Sequence, residues 1–171
     1  MSAPSDSPLN TGSGPFATVT SPLRDELQKL LGEGAVFELS GSLPAFRVAP
    51  SELHAAAAKV KVAGFDYLLL VTAVDYPAQG EFELVYALSD FRDGREFCLL
   101  TRVPRDCPRI ETVSDLWPTA DWHEREVYDL FGVRFDRHPD LRRILLDDTW
   151  EGYPLRKDYV DTVHDVRKRP Y

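Results

Sequence analysis

The chain has 171 residues, 43% of them hydrophobic, and a formal net charge of -8. That length suffices for one domain with its own core, while the acidic balance argues against a general nucleic-acid binder, whose affinity rests on a basic surface. No run of roughly eighteen apolar residues exists, so no transmembrane helix is expected.

The first twenty residues are rich in Ser, Pro, Gly and Thr, with neither the basic and apolar regions of a secretory signal nor the Arg of a transit peptide. They read as a flexible tail, residues 1–20. A first helix is expected next, with Ser21 as cap and Pro22 in the first turn. Leu23, Leu27, Leu30 and Leu31 form its stripe, and Gly32 is its stop. Strands are expected over Ala35–Leu39 and Ala45–Val48, then a helix from about Glu52 to Ala63 burying Leu53, Ala56, Ala57 and Val60.

Tyr67–Val74 is nearly all apolar, which predicts a strand central in its sheet. Phe82, Leu84, Tyr86 and Leu88 alternate toward one face, and Asp93-Gly94 predicts a hairpin into Glu96–Val103. Three strands joined by short turns make an antiparallel meander. With helices on either side of it, residues 21–133 read as an α+β domain on a mainly antiparallel sheet. Cys98, inside a strand, reads as a small buried hydrophobe, and Cys98 and Cys107 do not make a metal or iron-sulfur ligand set. Two isolated cysteines fit a reducing, cytoplasmic compartment.

The next helix is expected from about Ala120 to Phe131, with Thr119 as N-cap, Asp121 in the first turn and Gly132 as a left-handed C-cap. At about 100° per residue, His123, Val127, Leu130 and Phe131 form an apolar stripe with Asp121, Arg125 and Asp129 opposite. Trp122 and Glu126 lie on one shoulder, Glu124 and Tyr128 on the other. Glu124 and Glu126 therefore point away from each other and are not a close carboxylate pair.

Past Gly132, Pro139, Gly152, Pro154 and Pro170 interrupt every element, while Arg142, Arg143, Arg156, Lys157 and Asp158 alternate with Leu145, Leu146, Trp150, Tyr153 and Leu155. A long irregular segment in a compact domain points to a functional loop or an interaction arm. Residues 134–171 are accordingly expected to form an extended irregular arm laid across a neighbouring subunit. Arg167, Lys168 and Arg169 at its end read as a solvated tail or a partner contact.

The acids and histidines of this region permit several readings. His123, Glu124, Glu126, Asp129 and His138 make a poor metal site, because no second His stands four residues from His123; His138, before Pro139, reads as a turn residue bonded to backbone. Glu126 or Asp129 could act as a general base in a free-standing enzyme, yet no nucleophile or phosphate loop accompanies them. No dinucleotide fingerprint is present either, so NADH is not expected on this chain. Asp121, Arg125 and Asp129 could form a plain intrahelical ladder of ion pairs. The mixture of Trp122 and Tyr128 with Arg125, and of Arg142 and Arg156 downstream, has instead the aromatic-plus-arginine composition of contact cores.

Glu124-Arg125-Glu126, Asp129, Leu130-Phe131, His138, Arg142 and Ile144, with these spacings, resemble the signature of the C subunit of the proton-pumping NADH:quinone oxidoreductase, the thirty-kilodalton subunit of respiratory complex I. The resemblance continues through Pro139–Leu145 and Gly152–Tyr159 and extends more loosely back to Leu23. One departure stands out: Arg137 occupies the place before His138 where the family usually has Gly, so a turn requiring positive φ would be strained there.

The resemblance implies a peripheral subunit with no catalytic residue, metal or cofactor of its own, with NADH, FMN, iron-sulfur clusters and quinone on partner subunits. The expected partners are the quinone-module D subunit and other peripheral-arm subunits, with membrane association only through the complex, on the cytoplasmic side. Trp122, Glu124, Arg125, Glu126, Asp129, His138, Arg142, Arg156 and Lys157 are accordingly expected at the partner interface. The equivalent subunit of a related membrane-bound hydrogenase, or of a respiratory complex with another electron donor, remains an alternative.

Overall fold

The computed structural model describes residues 16–161. The expected tail up to residue 15 and the basic cluster Arg167–Arg169 lie outside the described residues. Chain order is α1 (Phe16–Leu31), β1 (Val36–Ser40), β2 (Leu43–Arg47), a short 3-10 turn (Pro50–Glu52), α2 (Leu53–Val62), β3 (Tyr67–Tyr76), β4 (Glu81–Asp90), β5 (Arg95–Pro104), β6 (Arg109–Glu111), α3 (Ala120–Phe131) and β7 (Arg134–Asp136).

Five strands form a sheet in the order β1-β2-β5-β4-β3, and β6 pairs with β7 in a separate parallel ribbon. The α+β class is therefore as expected, and β3-β4-β5 is the anticipated antiparallel meander. The pairing of β2 with β5 is parallel, which joins the first hairpin to the meander. Helix α1 begins at Phe16, upstream of the expected cap Ser21, and contains Pro22. A proline there removes one backbone donor from the ladder, so Ser21-Pro22 looked like a start.

The core collects on one face of the sheet. Leu27 of α1, Leu53 and Val60 of α2, and Val127 and Phe131 of α3 meet Phe46, Leu84, Tyr86, Leu88, Phe97, Leu99 and Val71. Edge-on ring pairs lock the layers: Phe65 with Phe97 at 4.7 Å and Phe82 with Phe131 at 6.1 Å. On the other face, Ala45, Cys98, Ala87 and Leu70 stand in one register across four strands. Arg47 lies beside them, paired with Glu38 and Glu83. Cys98 is buried as a small hydrophobe, and burial raises its thiol pKa.

A second expectation is corrected. β3 is not central but lies at the edge of the sheet. Its unbroken apolar run arises because α3 packs against it, while an irregularity between Leu68 and Leu70 turns Leu69 and Leu70 outward, 37% and 39% exposed. Burial by a helix and burial by a neighbouring strand select the same residue types.

Candidate functional site

Helix α3 and the segment after it carry the site. Gly132 ends the helix at φ 78°, ψ 22°, the left-handed conformation foreseen for it. Thr119 stands at the start but makes no side-chain capping bond. The face of α3 opposite the apolar stripe is not solvated as a ladder. Asp129 is fully buried and Arg125 is 5% exposed, because the chain after β7 folds back over this end of the helix.

Asp129 organises that return. Its Oδ2 accepts the backbone N–H groups of Ile144, Leu145 and Leu146 at 3.0, 2.8 and 3.0 Å, and Arg143 donates to Oδ1 at 2.7 Å. Burial alone would raise the Asp129 pKa; the converging donors outweigh it and hold the carboxyl below its ordinary value. Arg143 also donates to the carbonyls of Trp150 and Gly152 at 3.1 Å each. Arg156 donates through Nε to the Phe131 carbonyl at 2.7 Å, satisfying an orphan acceptor of the helix end, and stacks on Tyr153 and Phe82. Gly132 admits this approach: a Cβ there would lie 2.5 Å from the Tyr153 ring and 2.8 Å from Arg156 Nη2.

A second clasp holds the arm farther on. Asp75 of β3 accepts the Lys157 N–H at 2.8 Å and Arg105 Nε at 2.8 Å, and Arg105 also pairs with Asp158. Burial works to raise the Asp75 pKa, but these hydrogen bonds reverse it. The arm was expected to need a neighbour for its apolar residues; much of its polar backbone is instead satisfied on α3 and β3. Leu145, Leu155 and Val160 remain 60%, 51% and 75% exposed.

Glu124 lies on the inner side of α3, fully buried. The β6–β7 ribbon brings the loop after β6 beneath it, so that Glu124 accepts from the Val113 N–H at 2.8 Å and the Thr112 hydroxyl. Burial pushes the carboxyl up to about 7, the two hydrogen bonds oppose the rise, and Asp115 and Asp121 add to it. His138 is held as a backbone-bonded turn residue: its Nδ1 accepts from the Asp140 N–H at 3.1 Å, which leaves Nε2 to donate to the Asp121 carbonyl at 3.2 Å. His138 Nε2 stands 3.9 Å from Glu124 Oε2.

The outer side of α3 carries Trp122, 64% exposed, and Glu126, also exposed. Arg125 lies against the Trp122 ring with its guanidinium carbon 5.0 Å from the ring centre. Arg142 is exposed and bonded to Asp140 at 2.8 Å. Trp122, Arg125, Glu126 and Arg142 thus present side chains outward or just beneath the surface, Glu124, Asp129 and His138 are directed inward, and Lys157 is anchored by its backbone to β3. Sequence reasoning missed Asp75, Arg105, Thr112 and Arg143. Arg143 alone was within reach, as the neighbour of Arg142 in an arginine pair of which one member had to face the helix.

Arg137 has φ 65°, the one positive φ outside glycine among the described residues. The strain foreseen for an arginine in that turn is present, and its side chain pairs with Glu111. Among the described residues no group of three or more His, Cys, Asp or Glu is placed to hold a metal ion.

On α3, Glu124 holds the loop after β6 and Asp129 holds the arm, and these belong to the stretch that resembles a respiratory-complex subunit. The chain belongs to the respiratory-chain NADH dehydrogenase 30 kDa subunit family, whose profile matches residues 46–164. It is 46% identical over 114 residues to the C subunit of NADH-quinone oxidoreductase from Chloroherpeton thalassium, covering 63% of this chain and 45% of that protein. The chain thus spans about half the length of that relative.

Among solved structures, it is similar to a chain of the membrane-bound sulfane sulfur reductase, an archaeal respiratory membrane complex. The TM-score is 0.73 and the identity 31%, over 83% of this chain and 86% of that one. It also resembles the trypsin-resistant fragment (1-134) of Nqo5, with TM-score 0.62 and 32% identity, over 71% of this chain and 98% of that one.

Proposed function

We propose that this chain is a cofactor-free peripheral subunit of a proton-translocating NADH:quinone oxidoreductase, bracing the D subunit of the quinone module while electrons pass from NADH to quinone through FMN and iron-sulfur clusters on other subunits. The observation that carries the reading is the use of the motif residues: Glu124, Asp129 and His138 hold the loop and the arm in place. Asp129 is consumed by four donors and has its pKa depressed, which makes it a poor general base. Glu126 is exposed on the outer side of α3.

The interface assigned to the partner comprises Trp122, Arg125, Glu126 and Arg142 on the outer face, with the arm residues Arg156 and Lys157 beside it. Glu124, Asp129 and His138 shape that interface from beneath. No helix among the described residues is long and apolar enough to cross a membrane, so attachment on the cytoplasmic side runs through the complex.

A second reading, the equivalent subunit of a respiratory complex with another electron donor, is favoured by the likeness to the sulfane sulfur reductase chain. The test is purification of the tagged full chain from membranes of its source. Expected is recovery with quinone-site and iron-sulfur subunits, lost when residues 140–171 are deleted although the sheet stays folded. Turnover by the isolated chain, or assembly unimpaired by the deletion, would overturn the proposal. The donor that reduces the recovered complex separates the two readings.

A further inference from the structure

Arg125 is the least satisfied buried charge on the partner-facing side of α3. The residue is 5% exposed, its Nε is buried without a partner, and its guanidinium makes no hydrogen bond among the described residues. Its nearest acids are Asp121 Oδ1 at 3.5 Å and Asp140 Oδ2 at 3.8 Å, close enough to balance charge and too far for well-formed hydrogen bonds. Asp121 Oδ1 is likewise buried without a hydrogen bond. A guanidinium has five N–H donors in a planar fork, and leaving even one of them, here Nε, buried and unpaired is costly. Directly over it lies the indole of Trp122, exposed to 64%.

We infer that Trp122 and Arg125 form a docking point for a neighbouring subunit that supplies main-chain carbonyl oxygens to the guanidinium and an apolar surface to the indole. The charge pattern selects the acceptor. Asp121, Arg125, Asp140 and Arg142 already balance two against two, with Arg142 donating to Asp140 at 2.8 Å. A partner carboxylate would add a third negative charge beside Asp121 and Asp140, and burying it would leave that charge uncompensated. Carbonyl oxygens accept the same hydrogen bonds without charge. The unpaired carbonyls at a helix C-terminus, or those of a tight loop, present them as a cluster. The inference rests on the proposed role as a subunit of a respiratory complex and names the chemistry of one contact within it.

The test uses the full chain assembled with the remaining subunits. A photo-crosslinking p-benzoylphenylalanine at position 122 is expected to attach to one peptide of another subunit. The salt dependence of retention between roughly 0.1 and 1 M is expected to be alike for the wild type and Arg125→Met, since Glu126, Arg142, Arg156 and Lys157 contribute equally to both and a contact with a neutral acceptor adds little screening of its own. Trp122→Ala and Arg125→Met, the second keeping an apolar stem against the indole, are each expected to raise release from the complex roughly tenfold.

A markedly flatter salt dependence for Arg125→Met than for the wild type would identify a carboxylate and overturn the inference. So would crosslinks confined to a second copy of this chain, or retention of both variants like the wild type. Because Trp122 is exposed, its variant keeps the test open even if Arg125→Met folds poorly. A wild-type chain found on no complex at all would refute the proposed function itself, whereas an assembled wild type with unaffected variants refutes only this contact.

Discussion

Replacing Glu124 by Gln tests the buried carboxyl most directly. Burial lifts its pKa from 4.5 to about 7, and at about 1.36 kcal/mol per unit the ionised form is disfavoured in the fold by about 3 kcal/mol. The folded pKa lies above the unfolded one, so proton binding stabilises the fold. Below pH 4.5 the group costs nothing; as pH climbs from 4.5 to about 7 the stability falls, and above that the whole penalty is present.

Gln keeps the acceptor for the Val113 N–H and offers its amide to Thr112, but does not titrate. Urea unfolding of both proteins at a series of pH values measures the difference. Glu124→Gln is expected to gain about 2 to 3 kcal/mol on the wild type between about pH 5 and 8. Two curves that stay parallel across that range would refute the account of Glu124 as a desolvated acid.

Asp129→Asn removes the charge that gathers Arg143 and three backbone N–H groups, leaving Arg143 partly buried without its carboxylate. A loss of about 3 kcal/mol is expected, with trypsin cutting after Arg142 and Arg143 far sooner than in the wild type. Arg137→Gly relieves a left-handed residue that costs about 1 to 2 kcal/mol, offset in part by the chain entropy of glycine. A net gain of about 0.5 to 1 kcal/mol should appear as a higher Tm, and a lower Tm would mean that the Arg137 pair with Glu111 outweighs the strain.

The elements of the fold were legible where local chemistry decides them. Alternation of Phe82, Leu84, Tyr86 and Leu88, the helix stripe through Val127 and Phe131, and the left-handed Gly132 all follow from short-range periodicity and from what glycine alone does cheaply. Arg137 was legible for the same reason, since one side chain stood where a turn requires none. The edge position of β3 and the parallel pairing of β2 with β5 depend on distant partners that leave no local pattern.

The site was legible in outline and opaque in its interior. Glu124, Arg125 and Asp129 were recognisable as a set, but Asp129 is satisfied by backbone groups of Ile144, Leu145 and Leu146, and main-chain donors carry no residue signature. The apolar stripe likewise misplaced Glu124 and Arg125, because a charged side chain can lie inward when a loop brings it donors or when the chain folds back over it.

The clasp at Asp129 and Gly132 also determines what a neighbour encounters. Because the arm is tied to α3 and β3 as far as Lys157, its backbone has lost its freedom before association, and the entropy of ordering is charged to folding and not to binding. Leu145 and Leu155 are therefore held out on a preset track, and in the proposed assembly a modest contact area there could still give a firm grip. If the proposed role holds, a variant that loosens the clasp would weaken assembly without touching a single atom of the contact.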